Sequence, residues 1–410
     1  MGKLLAVIGA NFGDEGKGRT VDWLAHRNKL HRPLVVRHNS GGQAGHTVER
    51  EGKRHVFSHF GSASLQGVPT LLTHRFVVNP LIFNREYEEL SRLGLEPMVY
   101  LDENCAMSTP LDMALNQIRE TCRTQRHGTC GVGFGETIHR GEFRRKWIQA
   151  RCGKRSHVEW QATTHFLSEL DLMSDEQLKN ISPEMHDICV VANSGQFNWP
   201  KFWDQYELML DRVRFVDDDD ISSIVRTYAR DSTVIFEGAQ GLKLHQDTGH
   251  GAPDHATWSR TGTEDILEFL ENYDIPGDLE AYYVSRAYIT RHGNGPLPNE
   301  WESLPSWIID PTNEPNEWQG SLRAAPFDLE YIERDILLDL QKWLDTTRSR
   351  NLSRRLTQTT VLTCADQVPE VTDEMIGFAD YIFSSPRNGA PKAANRYRAQ
   401  QKEDADGISL

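Results

Sequence analysis

The chain has 410 residues, a formal net charge of −14, 38% hydrophobic residues and a mean hydropathy of −0.56. That length can bury a sizeable core, the acidic balance disfavours nonspecific nucleic-acid binding, and no apolar run approaches the ~20 residues of a membrane span. Six cysteines (Cys105, Cys122, Cys130, Cys152, Cys189, Cys364) form no CxxC pair, so free thiols in a reducing cytoplasm are expected, without signal peptide, disulfide or membrane anchor.

In chain order, the aliphatic run Leu4 to Ile8 predicts a strand. It opens into Asn11-Phe12-Gly13-Asp14-Glu15-Gly16-Lys17-Gly18, followed by an amphipathic stretch bearing Val21, Trp23 and Leu24. Further strands are predicted at Leu34–Val36, Met98–Leu101, Cys189–Val191, Thr233–Phe236 and Thr360–Leu362, and helices at Leu111–Arg123 and Tyr331–Leu344. Asp217 to Asp220 read as a solvated turn. His245, His250 and His255 recur every five residues, a spacing that keeps no helix face and carries no metal assignment. The alternation predicts an α/β fold, a large and mostly parallel sheet flanked by helices, with ligands at the strand ends. Residues 1–394 are expected to form one domain, with a helical subdomain around 105–185, and 395–410 a polar, poorly ordered tail.

The glycine-dense loop after the first strand predicts a P-loop-like phosphate site, because it presents backbone N–H groups and Lys17 at a helix N-terminus. It is not a Walker A loop: Asn11 and Gly18 stand where that pattern needs glycine and a hydroxyl residue. The usual magnesium hydroxyl is therefore missing, and Asp14 can supply the oxygen instead. A carboxylate inside an anion-binding loop is unfavourable unless a metal or a reacting proton offsets it, which points to chemistry at Asp14.

These residues resemble the adenylosuccinate synthetase family. The likeness rests on Gly13 to Gly18, Gln43-Ala44-Gly45-His46-Thr47, Gly128 to Gly133, Phe236 to Gly241 and Thr290 to Pro296, in the family's order. It implies a ligase that phosphorylates the 6-oxygen of a purine nucleotide and replaces it with the amino group of L-aspartate. By motif match Asp14 takes the N1 proton, His46 stabilises the transferred phosphoryl group, and Lys17 completes the catalytic set. Gly13, Glu15, Gly16, Lys17, Gly18, Gly45, Thr47, Asp366 and Ser385 are expected around the triphosphate, with Mg²⁺ on Asp14 and the Gly45 carbonyl. Asp14, Gln43, Thr129, Cys130, Arg140 and Gln240 are expected at the substrate nucleotide. Within the basic segment Arg140, Arg144, Arg145, Lys146, Arg151, Lys154 and Arg155, the resemblance implies an arginine crossing a homodimer interface, Arg140 with Arg144 next.

Departures from the pattern bear on the substrates. Thr363-Cys364-Ala365-Asp366 lacks the lysine that helps read guanine, which brings ATP or dATP forward against GTP. Asn316 to Arg323 holds one arginine where the family has several; Gln319, Gly320, Ser321 and Arg323 are expected at L-aspartate, with Arg323 on its carboxylate. Gln43 replaces an Asn, and Arg260 sits where the family has Asn. These changes resemble the phage branch that acts on dGMP in making 2-aminoadenine, although several of its members have a small hydroxyl residue where Asp14 stands. Adenylosuccinate formation from IMP with GTP is the alternative, and a non-catalytic nucleotide-binding switch is the reading of another class. A phage enzyme would work in the host cytoplasm.

Overall fold

Strand Lys3–Gly9 is buried at every residue after the first, as a central parallel strand must be. Side chains alternate across a sheet, so Leu4, Ala6 and Ile8 enter one core while Leu5 and Val7 enter another on the opposite face. In this computed structural model the description covers residues 2–140, 154–247, 257–311, 313, 318–384 and 390–398.

Ten strands form the sheet in the order Lys392–Ala393, Tyr381–Ile382, Leu356–Thr363, Leu279–Arg286, Lys3–Gly9, Thr233–Gly241, Leu34–Arg37, Thr70–Leu72, Val99–Asp102 and Arg214–Val216. Every neighbouring pair is parallel except the one at the Lys392–Ala393 edge. One face is covered by helix Lys17–Arg27, whose Val21, Leu24 and Ala25 pack on Leu5, Val7, Val35 and Ile235. The other carries helices Asp218–Asp231, Glu264–Asn272 and Leu329–Ser349, with Ile221, Ile266, Ile336 and Trp343 in the large core. Each fully buried aliphatic side chain contributes roughly 1.5–3 kcal/mol of transfer free energy.

Helices Pro110–Cys122, Phe134–His139, Arg155–Leu170, Asp175–Leu178, Pro183–Asn193 and Trp199–Leu210 intervene before the edge strand Arg214–Val216, so the helical region extends past residue 185. Thr109 and Asp112 form a capping box at its first helix, as Pro110 at the first position favours.

Three sequence expectations are corrected. Cys189–Val191 is helical: Ser182 caps the helix by accepting from Met185 N at 3.3 Å, and Pro183 opens it. Asp217–Asp220 begins a helix, Asp217 accepting from Asp220 N at 2.9 Å while three further aspartates complement the N-terminal dipole. At the start of the expected tail, residues 395–398 are helical and Tyr397 packs against the large core. His250 and His255 lie outside the described residues, whereas His245 is buried and its Nδ1 accepts from Asp247 N at 3.2 Å.

Candidate active site

The strands following one another in parallel deliver their C-terminal loops to one edge, and there a cleft of about 1890 Å³ opens. The loop after the first strand is folded by its own side chains. Glu15 Oε1 accepts from Asn11 N at 3.1 Å and Gly13 N at 2.7 Å, and Oε2 receives Lys17 Nζ at 2.6 Å. Glu15 and Lys17 are both buried, so the Glu15 carboxylate shapes the phosphate loop from within. Gly16 caps the helix at φ 89°, a conformation that excludes most side chains. At Gly18 a Cβ would stand 2.9 Å from His46 Cβ, which is why the helix can approach His46 this closely only with glycine there.

Asp14 adopts φ 61°, a left-handed conformation rare outside glycine. Its Oδ2 lies 2.7 Å from His292 Nδ1, and its backbone carbonyl accepts from Arg286 Nε. Burial alone would raise the Asp14 pKa, but the His292 hydrogen bond and charge, with Arg286 and Lys17, hold it down at about 2. Asp14 is therefore a carboxylate throughout the neutral range, and among the described residues only Oδ2 of its two oxygens takes a side-chain hydrogen bond.

His46 begins the strand after the Gly41–Gly45 turn and points Nδ1 at Glu237 Oε1, 2.5 Å away. Glu237 is fully buried in the middle of strand Thr233–Gly241, and its Oε2 accepts from Ser62 N at 2.9 Å while Ser62 Oγ donates to Oε1. Burial pushes the Glu237 pKa up, yet Arg37 on the adjacent strand, His46 and Ser62 outweigh it and hold the carboxyl at about 2. Burial lowers the His46 pKa despite Glu237. The ring is thus neutral at rest, and Nε2 is its remaining nitrogen in the cleft.

Gly13, Asp14, Glu15, Gly16, Lys17, Gly18, Gln43, Gly45, His46, Thr47, Thr129, Cys130, Gln240, Gln319 and Asp366 all line this cleft. With Arg291 and His292, which also line it, the structure brings the five sequence blocks together. Thr129 Oγ1 pairs with Asn116, receiving Nδ2 at 3.1 Å, and Cys130 Sγ donates weakly to the Gln43 carbonyl at 3.8 Å. Burial, with Asp14 nearby, pushes the Cys130 thiol up to about 12, so it is no nucleophile. Ser385 lies outside the described residues.

Two arginines stand elsewhere than expected. Arg140 is turned inward: its side chain is 1% exposed, Nε sits 2.9 Å from Asp112 Oδ1, and Nη2 donates to the Met107 carbonyl at 2.8 Å. Arg323 does not line the cleft, nor do Gly320 and Ser321. Its guanidinium pairs with both Glu300 oxygens and donates to the Gly293 and Gly295 carbonyls at 2.6 and 2.7 Å. It is a strap on the Thr290–Pro296 segment, with four of its five N–H donors used by those bonds. Arg323→Ala is expected to destabilise the fold by roughly 1–3 kcal/mol, seen as a lower urea midpoint; an unmoved midpoint would deny the strap. Among the arginines that do line the cleft, Arg291 is stacked 4.3 Å over Phe12 with its Nε buried and unpartnered.

Glu237, His292, Arg286 and Arg291 were given no role by the sequence. A carboxylate directly after the apolar run Val234–Phe236 was the one available signal for Glu237.

A model of the adenylosuccinate synthetase family matches residues 6–324. The adenylosuccinate synthetase of Francisella philomiragia is 27% identical over 304 residues, covering 72% of this chain and 65% of its own length. That of Borrelia turicatae is 25% identical over 353 residues, covering 85% of this chain and 75% of its own. The chain thus spans just under two thirds of the Francisella relative. Among solved structures, the fully ligated adenylosuccinate synthetase from Plasmodium falciparum has a TM-score of 0.61 at 18% identity, covering 89% of this chain and 78% of that one. The succinoaminodeoxyadenylate synthetase of cyanophage S-2L, bound to dGMP and dATP, gives 0.57 at 15% identity, covering 98% and 99%. Those two share the fold, and the family match runs from the first strand through Arg323, across the phosphate loop and the His46 and Glu237 segments. The chain belongs to the adenylosuccinate synthetase family.

Proposed function

We propose that the protein is a ligase joining L-aspartate to C6 of a 6-oxopurine nucleotide through a 6-phosphoryl intermediate, with dGMP and ATP or dATP as substrates and N6-succino-2-amino-2'-deoxyadenylate as product. The observation that carries the ligase reading is one cleft holding an ionised Asp14 and a Glu237-backed His46 around the Lys17 loop. Asp14 accepts the N1 proton, the freed electron density moves to O6, and O6 attacks the γ-phosphorus as its bond to the leaving diphosphate breaks. His46 stabilises the charge that grows on the transferred group. The amino group of aspartate then bonds to C6, and phosphate leaves with the original O6 and the pair of the broken C–O bond. Positioning and charge neutralisation supply the rate, as phosphoryl transfer requires.

The Asp14 carboxylate and the carbonyl of cleft-lining Gly45 are hard donors, a set that fits Mg²⁺. When bound, the ion neutralises triphosphate charge. Arg291, with its unpartnered Nε, receives an aspartate carboxylate in place of Arg323. The protein works as a homodimer; Arg140 is turned inward, and Arg144, the next arginine expected to cross to the monophosphate, lies outside the described residues.

The dGMP reading is supported by two buried amide oxygens without partners at the cleft, Gln43 Oε1 and Gln240 Oε1. Guanine offers donors at N1 and N2, whereas hypoxanthine offers N1 alone, and an unfilled buried acceptor discriminates strongly between them. Cleft-lining Cys364, in place of a lysine stem beside Asp366, supports adenine over guanine in the triphosphate. The same-fold cyanophage protein binding dGMP and dATP agrees. IMP with GTP is the second reading, favoured by the retained Asp14 carboxylate, which takes room that a 2-amino group needs.

The test is product formation with Mg²⁺ and L-aspartate, crossing dGMP and IMP against ATP, dATP and GTP. The expected product comes from dGMP with ATP or dATP. IMP turnover with GTP alone would reassign the substrates, and silence in every combination would leave a nucleotide-binding switch.

A further inference from the structure

We propose that His292 is a positioning residue that aims the Asp14 carboxylate for proton abstraction, an inference that rests on the ligase reading above. The Asp14 loop is held from one segment of chain by three side chains with separate tasks. Arg286 Nε donates to the Asp14 carbonyl and Thr290 Oγ1 to the Gly13 carbonyl at 3.2 Å, which fixes the backbone. His292 Nδ1, at 2.7 Å, is the one side-chain hydrogen bond to the carboxylate among the described residues. The left-handed backbone at Asp14, φ 61°, throws its side chain across the cleft, where rotation about the side-chain bonds is the freedom still to be removed.

Holding Oδ2 removes that freedom and leaves Oδ1 to meet the N1 proton. The imidazole is itself rigidly carried. His292 follows strand Tyr288–Arg291, which pairs with Arg323–Pro326, and Arg323 clamps the Gly293 carbonyl next to it. A misaimed base loses rate without losing substrate, because the loop amides and Lys17 that hold phosphate do not depend on the imidazole.

The experiment compares wild type, His292→Ala and His292→Asn, the last placing an amide N–H near the Nδ1 position. With the nucleotide pair that the wild type turns over, His292→Ala is expected to lower kcat by about 10- to 100-fold, leave KM for the monophosphate within about twofold, and be largely rescued by His292→Asn. Unchanged kcat in His292→Ala would overturn the proposal. So would equal losses in both variants with a lowered melting temperature, since that pattern marks a merely structural residue. If the wild type is silent with every pair, the ligase reading falls, and the contact is judged by the Asp14 carboxyl ¹³C resonance, assigned through Asp14→Asn. Displacement in His292→Ala with return in His292→Asn would support positioning, and an unmoved resonance would refute it.

Discussion

Asp14→Asn is expected to bind nucleotides within a few-fold of wild type and to lose turnover by about 10²- to 10⁴-fold, the range that a positioned base contributes. The amide has the shape of the carboxylate, and its oxygen can still accept from His292 Nδ1. The loop stays folded because its internal bonds come from Glu15 and not from Asp14. Only the acceptor for the N1 proton is gone. With its pKa held at about 2, the Asp14 carboxylate is a weak base at rest. The proton must therefore leave N1 as O6 bonds to phosphorus, since that bond formation drives the transfer. The same low value means that Asp14 does not set an acidic limb of the kcat/KM profile near neutrality. Nucleotide titration together with steady-state kinetics checks the claim: near-normal turnover removes Asp14 from the chemistry, and lost binding makes it a scaffold residue.

The phosphate loop was legible in the sequence because its information is local: an apolar strand, glycines at turn positions and a helix with one apolar face lie within twenty-five residues. The partners of the two reacting side chains were not. Glu237 is 191 residues from His46, and His292 is 278 from Asp14, so no periodicity links them; the sheet does, by placing the segments at its C-terminal edge. Arg323 shows a different limit. Its type and place suited a carboxylate ligand, but whether an arginine is free depends on what else uses its five donors, and Glu300 with two carbonyls uses four of them. Val190 and Val191 have strand-favouring side chains, and Ser182 with Pro183 overrode that preference by starting a helix.

Glu237→Gln is expected to lower turnover by about 10²- to 10³-fold without touching substrate, by removing the charge that supports His46. His46 is neutral at rest because burial outweighs its carboxylate partner. As charge grows on the transferred phosphoryl group, the ring can meet it as an imidazolium only if a counter-charge is already in place on Nδ1, and Glu237 is that charge. Glutamine keeps an oxygen for Ser62 N but presents an amide elsewhere, where Ser62 Oγ and His46 expect an acceptor. The imidazole then loses both its orientation and the field that stabilises its charged form. His46→Ala should cost at least as much, and adding Glu237→Gln to it should cost little more, because a residue that acts through another has nothing left to act on. Full additivity in that cycle, with melting curves showing each variant folded, would instead give Glu237 an effect of its own on the reacting nucleotide, carried across the strand pair by the buried Arg37.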